Sequence, residues 1–222
     1  MQYVPFIVGS AIECFGVFIV MFSLFRFRLN TRAFITVSIV AFMMSQLSYF
    51  TRLNPETSNL STYIQFAMYV IVLWVLFRVP VFYSILMNFA GFAVLVVVQG
   101  ITILVLGAIN NISLETIKNN GMINAATQLL TFILMLSLAR LILRFNWGFD
   151  FVPTSRRHEM EFKGTNVTLI AVIISAIVVL TVVIYVFRNE YKDFVIYASL
   201  VFLLTLPAFL YFSLRKDNED AA

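Results

Sequence analysis

Long apolar runs, interrupted by short clusters of charged and turn-forming residues, set the pattern of this chain. A helix needs roughly 20 mostly apolar residues to cross a bilayer. Seven runs approach that length, at residues 4–25, 33–50, 62–77, 81–107, 122–143, 165–187 and 194–214. The pattern predicts an all-α, polytopic transmembrane bundle of about seven helices, forming one domain over residues 1–214. The narrowest junction lies between the third and fourth runs, where only Arg78, Val79 and Pro80 intervene. Proline disfavours helix at the residue before it, so a break is expected there. Either the turn is tight, or the two runs form one bent or re-entrant unit and the count falls to six.

Composition supports the lipid reading. The chain is 61% hydrophobic and 12% charged over 222 residues. A soluble domain is nearer half apolar and a quarter charged. The opening MQYVPFIVGS has no basic region and no A-x-A site follows it, so the first run is read as a retained helix.

The net charge of +4 is modest, and no Lys/Arg run is dense enough for a nucleic-acid footprint. Its distribution carries the information. Arg26, Arg28, Arg32, Arg78, Arg140, Arg144, Arg156, Arg157, Lys163, Arg215 and Lys216 fall at one set of alternate connections, and Arg52, Lys118, Arg188 and Lys192 at the other. Cytoplasmic loops collect Lys and Arg, which predicts an outside N-terminus and a cytoplasmic C-terminus. An odd number of crossings demands the same.

One connection is long enough to act on its own, RFNWGFDFVPTSRRHEMEFK at 144–163. Trp147, Phe149 and Phe151 alternate with polar residues, which suits a segment at headgroup level. Arg144, Trp147, Arg156, Arg157 and His158 are therefore candidates for contact with anionic lipid or with a cytoplasmic partner. The acidic tail at 215–222 is too short to fold alone and is expected to be disordered.

Within the spans, Glu13 is the one deep acidic residue. An ionisable group there costs about 2.5–3.5 kcal/mol on insertion scales and points by default to function. It would bind a ligand amine, a proton or a partner helix, or else stay protonated and bond a polar neighbour. Gly9 and Gly16 flank it, allowing a close helix neighbour. Asn88 and Gln99 lie about three turns apart on one face of the fourth helix, and Gln128 of the fifth helix is expected to meet one of them. Gln46 and Gln65 place further amides in the second and third helices. Such amides hold helices together, or line a cleft for a peptide or headgroup. Small residues recur at Ala93, Gly100 and Gly107, at Gly121 and Ala125, and at Ala171 and Ser175, a spacing that permits close approach and leaves a homodimer possible.

Enzyme chemistry finds little support. Cys14 is the single cysteine and His158 the single histidine, far apart in the chain. No H-E-x-x-H, P-loop or acidic metal cluster is present, so neither metal nor cofactor is expected. The sequons at Asn59, Asn111 and Asn166 carry little weight, and Asn166 falls on the expected inner side. Pro207 is a candidate kink in the seventh helix with no counterpart in the first half, unlike the paired broken helices of many transporters.

Three segments carry a resemblance: VGSAIECFGVFIVMFSLFRFR near the N-terminus, FRVPVFYSILMNFAGF at the third-to-fourth junction, and WGFDFVP after the fifth helix. They resemble the multi-helix membrane sensor regions of accessory-gene-regulator-type, peptide-pheromone sensor histidine kinases of Gram-positive bacteria. The resemblance covers most of the chain but no kinase domain, and His158 lies in an internal loop, so no phospho-acceptor is expected. It implies helices that bind a hydrophobic or peptide signal in a bacterial cell membrane and relay it to a separate partner. The alternatives are an accessory or structural subunit of a membrane transporter or other complex, and a channel-like path past Glu13, Asn88 and Gln99.

Overall fold

The computed structural model describes residues 3–27, 30–53, 57, 60–110, 116–117, 120–153, 164–187 and 190–221. Among the described residues, seven helices follow in order: α1 (Tyr3–Leu24), α2 (Thr31–Leu53), α3 (Ser61–Val75), α4 (Val81–Asn110), α5 (Gly121–Phe145), α6 (Thr165–Val186) and α7 (Tyr191–Ala221). Six are long and apolar enough to cross a membrane. The exception, α3, has 15 residues, about 22 Å at 1.5 Å per residue, against a hydrocarbon core of about 30 Å. The chain is a multi-pass helical membrane protein.

The helices alternate in direction. The C-terminal end of α1 meets the segment after α5 through Phe149 N–H donating to Leu24 O, so these two helices run parallel. Lys216 near the end of α7 lies over Tyr83 at the start of α4, and Thr165 at the start of α6 donates to Glu219 of α7. At the opposite end Tyr3 bonds Gln46 of α2, and Tyr63 of α3 bonds Thr181 late in α6. One end of the bundle therefore gathers Arg26, Arg32, Arg78, Arg140, Arg144, Arg215 and Lys216, while Arg52 and Lys192 are the described cations at the other.

The junction between α3 and α4 is a tight turn between two separate helices. Arg78 takes φ 59°, Val79 is fully buried, and Ser84 N–H closes the first turn of α4 on Pro80 O. From there α4 runs back along α3, bringing Asn88 to Phe66. Three helices end at the basic face on a left-handed residue that is not glycine: Arg26, Arg78 and Asn146. After α1 and α5 the chain closes with the wide hydrogen bond that caps such ends, from Phe27 to Phe22 and from Trp147 to Ile142.

Two helix starts, those of α2 and α5, are capped by asparagine. Asn30 Oδ1 accepts from Ala33 N–H, and Asn120 Oδ1 accepts from Met122 and Ile123 N–H. Asn120→Ala should cost about 1 kcal/mol and speed amide exchange at Ile123. Unchanged exchange there would remove the cap from the account of where α5 begins.

The core centres on α1, whose spanning window is 67% buried against 22–33% for the other five spans. Phe18, Phe22, Met21 and Val17 of α1 pack with Tyr69 and Leu73 of α3 and with Leu86, Met87 and Phe89 of α4. Lipid offers the same apolar surroundings as a core, so helices associate through close packing and polar contacts rather than through burial from water. Glycine allows that approach at two crossings of α4. A Cβ on Gly91 would stand 2.5 Å from Met21 Cγ, and one on Gly100 would stand 1.8 Å from Ser199 Oγ. Ala93 is buried beside them on α4, whereas Ala171 and Ser175 lie on the exposed face of α6. The stripe that α6 buries is Leu169, Ile173, Ala176, Leu180 and Val183.

Two expectations are corrected. The acidic tail is not a disordered appendage: α7 passes through Pro207 and continues to Ala221. It is held there because Asp217 accepts from Asp150 N–H and Glu219 accepts from Thr165 and Arg215. The aromatic segment after α5 does not lie wholly at headgroup level either. Trp147 is 62% exposed and stacks on Phe145, but Phe149 and Phe151 are buried at 2% and 7%. Their rings fill a space at the end of the bundle against Phe25 and Tyr83.

Candidate functional site

Two places in the bundle gather polar side chains. The first lies midway along α1. Glu13 is half-buried, and its Oε2 accepts from Gln128 Nε2 at 3.1 Å. Gln128 is 4% exposed. The pair forms because α1 and α5 run parallel and touch closely at Gly9, where a Cβ would stand 2.0 Å from Gln128 Oε1. Glu13 Oε1 and Gln128 Oε1 are both buried without a hydrogen-bond partner. Cys14, next along α1, is buried in the same cluster as Tyr69 of α3. Toward the end of the bundle that carries Tyr3, Arg52 of α2 stands over the Phe6 ring at 5.5 Å.

Gln128 thus meets Glu13, not Asn88 or Gln99 as the sequence pattern predicts. The reason is the parallel pairing of α1 with α5, which a helix-by-helix reading does not reveal. Asn88 is fully buried and faces α3, where Nδ2 donates to Phe66 O at 2.8 Å. Gln99 is half-buried on α4 next to Gly100 and joins neither pair. A single polar path through Glu13, Asn88 and Gln99 is therefore not assembled. Gln46 accepts from Tyr3 at 2.7 Å, tying α2 to the start of α1.

The second place is the basic end. Arg26 forms an ion pair with Asp150, and its other terminal nitrogen donates to Asn146 O at 2.9 Å. Asp150 N–H donates to Asp217 Oδ1 at 2.7 Å. Lys216 is 6% exposed, with Nζ 5.6 Å from the Phe151 ring and 5.9 Å from the Tyr83 ring. The segment 146–152 is thereby clasped between the ends of α1 and α7. An exposed ion pair contributes up to about 1 kcal/mol, so the buried rings of Phe149 and Phe151 supply most of the hold. Arg144 and Trp147 are exposed beside this clasp. Arg156, Arg157 and His158 lie outside the described residues.

Sequence reasoning missed Arg26, Asp150, Asp217 and Lys216 as a group. The signal available was an Arg at a helix end followed far along the chain by an Asp in a Gly-containing loop, which is too common to single out. Among the described residues no group of three or more His, Cys, Asp or Glu gathers to hold a metal.

Fold and geometry together define a polytopic, all-helical membrane protein with one membrane-embedded carboxyl–amide pair and one cross-tied basic face. Beyond that class, no family model, curated protein or solved structure matches the chain.

Proposed function

We propose that the chain is an integral membrane sensor or regulatory subunit that takes up a hydrophobic or peptide signal among its helices and passes a conformational change to a separate protein. The observation that carries this reading is the clasp at the basic end. There the end of α1, the segment after α5, the start of α6 and the end of α7 are bonded to one another. Movement of any one of these helices strains the others at the same face. By the positive-inside rule that face is cytoplasmic, which sets the N-terminus outside a bacterial cell membrane and the C-terminus within. The resemblance to the pheromone-sensor membrane regions agrees with that orientation. The partner is then a cytoplasmic kinase or another membrane subunit, and the chain has no catalysis of its own.

A second reading, an accessory subunit or homodimer, is favoured by Ala171 and Ser175 on the exposed face of α6, since small residues at that spacing admit another helix. It predicts constant association with a larger membrane protein and no response to any peptide.

The test uses a photo-crosslinking residue at position 144 in native membranes. The sensor reading expects a crosslinked partner whose yield changes when peptide is added. Deletion of residues 156–158 should abolish that crosslink while leaving insertion intact. Undiminished crosslinking after the deletion counts against recruitment through this loop.

A further inference from the structure

In the pair formed by Glu13 and Gln128, two buried acceptor oxygens lack a hydrogen-bond partner. Gln128 spends one amide hydrogen on Glu13 Oε2. The two oxygens without a partner are Glu13 Oε1 and Gln128 Oε1, both shut away from water. Filling such a site takes a donor. A side-chain donor from a neighbouring helix is not at hand, because nearby Thr127 and Thr131 each donate to their own helix backbone. Nor does a full positive charge lie alongside. The cation that faces Glu13 is Arg52 of α2, which is placed over Phe6 and makes no ion pair with it. From α3 the ionisable group on this side is Tyr69, a neutral phenol buried in the cluster with Cys14. The ionisable residues of α4 and α5 are Tyr83, Arg140 and Arg144, all toward the basic end.

We infer that Glu13 and Gln128 form a proton-binding site within the membrane, in which a proton carried on Glu13 Oε1 is shared with Gln128 Oε1. One proton meets both deficits: Glu13 Oε1 becomes a donor and Gln128 Oε1 accepts from it, while Gln128 Nε2 continues to donate to Glu13 Oε2. No bond between heavy atoms changes. The proton comes from water and leaves to water, and the site alternates between a neutral acid–amide pair and a carboxylate. An uncompensated carboxylate in lipid is costly, so uptake of the proton tightens α1 against α5 and release loosens them. The close approach at Gly9 makes this sensitive, since Gln128 Oε1 sits where a Cβ on Gly9 would stand and the α5 backbone at Ala125 lies just behind it. The inference stands on α1 and α5 alone and does not depend on the signal-relay reading.

Infrared difference spectroscopy of the chain reconstituted in phosphatidylcholine vesicles reads the site directly. A protonated-carboxyl band should appear at low pH and vanish reversibly as pH is raised, and Glu13→Gln should lack it. Gln128→Leu should keep the band but move it to higher frequency, because the acid loses its acceptor. If Glu13→Gln fails to insert, the Gln128→Leu shift decides alone, and an unshifted band overturns the shared proton. Absence of a Glu13-dependent band at every pH would mean a permanent carboxylate and would overturn the inference. So would a band that persists unchanged over the whole pH range in which the helices stay folded, the mark of a fixed structural acid.

Discussion

Phe89→Ala lowers the stability of the bundle by about 3–5 kcal/mol, the cost of emptying a closely packed aromatic site. Phe89 is 1% exposed, and its ring lies 5.9 Å from Phe202 and 5.2 Å from Phe209, centroid to centroid. Phe92 extends the same stack, 5.8 Å from Phe202. These rings hold α4 to α7 on both sides of Pro207. In a bilayer the loss does not come from exposing the remaining surface to water, because lipid tails are as apolar as the ring. It comes from dispersion contacts that have no substitute in the cavity. Leu204, 74% exposed on the same helix, separates the two accounts. Leu204→Ala should stay within about 0.5 kcal/mol. Reversible unfolding in bicelles measures both, and equal losses would contradict packing as the source of stability.

The second large effect is expected at Gly148. A Cβ there would lie 2.8 Å from Arg26 Cγ, 2.9 Å from Ser23 O and 3.2 Å from Leu24 O. The arginine carbons can swing aside, but two backbone carbonyls at the end of α1 cannot. Overpacking of this kind costs about 1–3 kcal/mol. Relief comes by expelling the segment 146–152, which forfeits the bond from Phe149 N–H to Leu24 O, the ion pair of Arg26 and the tie to Asp217. A cysteine in place of Phe149 reports the result. It should resist a membrane-impermeant maleimide in inverted vesicles, and react at least about tenfold faster once Gly148→Val is added, equivalent to about 1.4 kcal/mol of opening. Equal labelling with and without Gly148→Val would show that the segment is not clasped.

How much of this was legible in the sequence depends on the range of the interaction. The helices themselves were. The apolar run at 165–187 became Thr165–Val186, and the run at 122–143 became Gly121–Phe145, because span length is written in consecutive residues. The break at Pro80 was equally local. The end of α7 was not legible, because Asp217 and Glu219 stay helical through partners at Asp150 and Thr165 that lie more than 50 positions away. Phe149 and Phe151 read as interfacial for the same reason: their alternation with polar residues is that of a surface segment, and only the assembled end of the bundle provides a hole for the rings. Glu13 stood out in the sequence, but its partner did not. Gln128 is separated from it by 115 residues, and amides are spread through several spans.

That separation has a consequence for how the protein is made. Of the seven helices, the one that ends up most enclosed is made before the other six, and α5, which packs beside its carboxyl, follows four helices later. At about 5–20 residues per second, roughly 6–23 s pass between synthesis of Glu13 and synthesis of Gln128. Through that interval α1 must wait with an ionisable group facing lipid, the insertion machinery or an early helix such as α2. The nascent chain is thus most vulnerable before α5 has been translated, and cells that slow elongation lengthen the exposure.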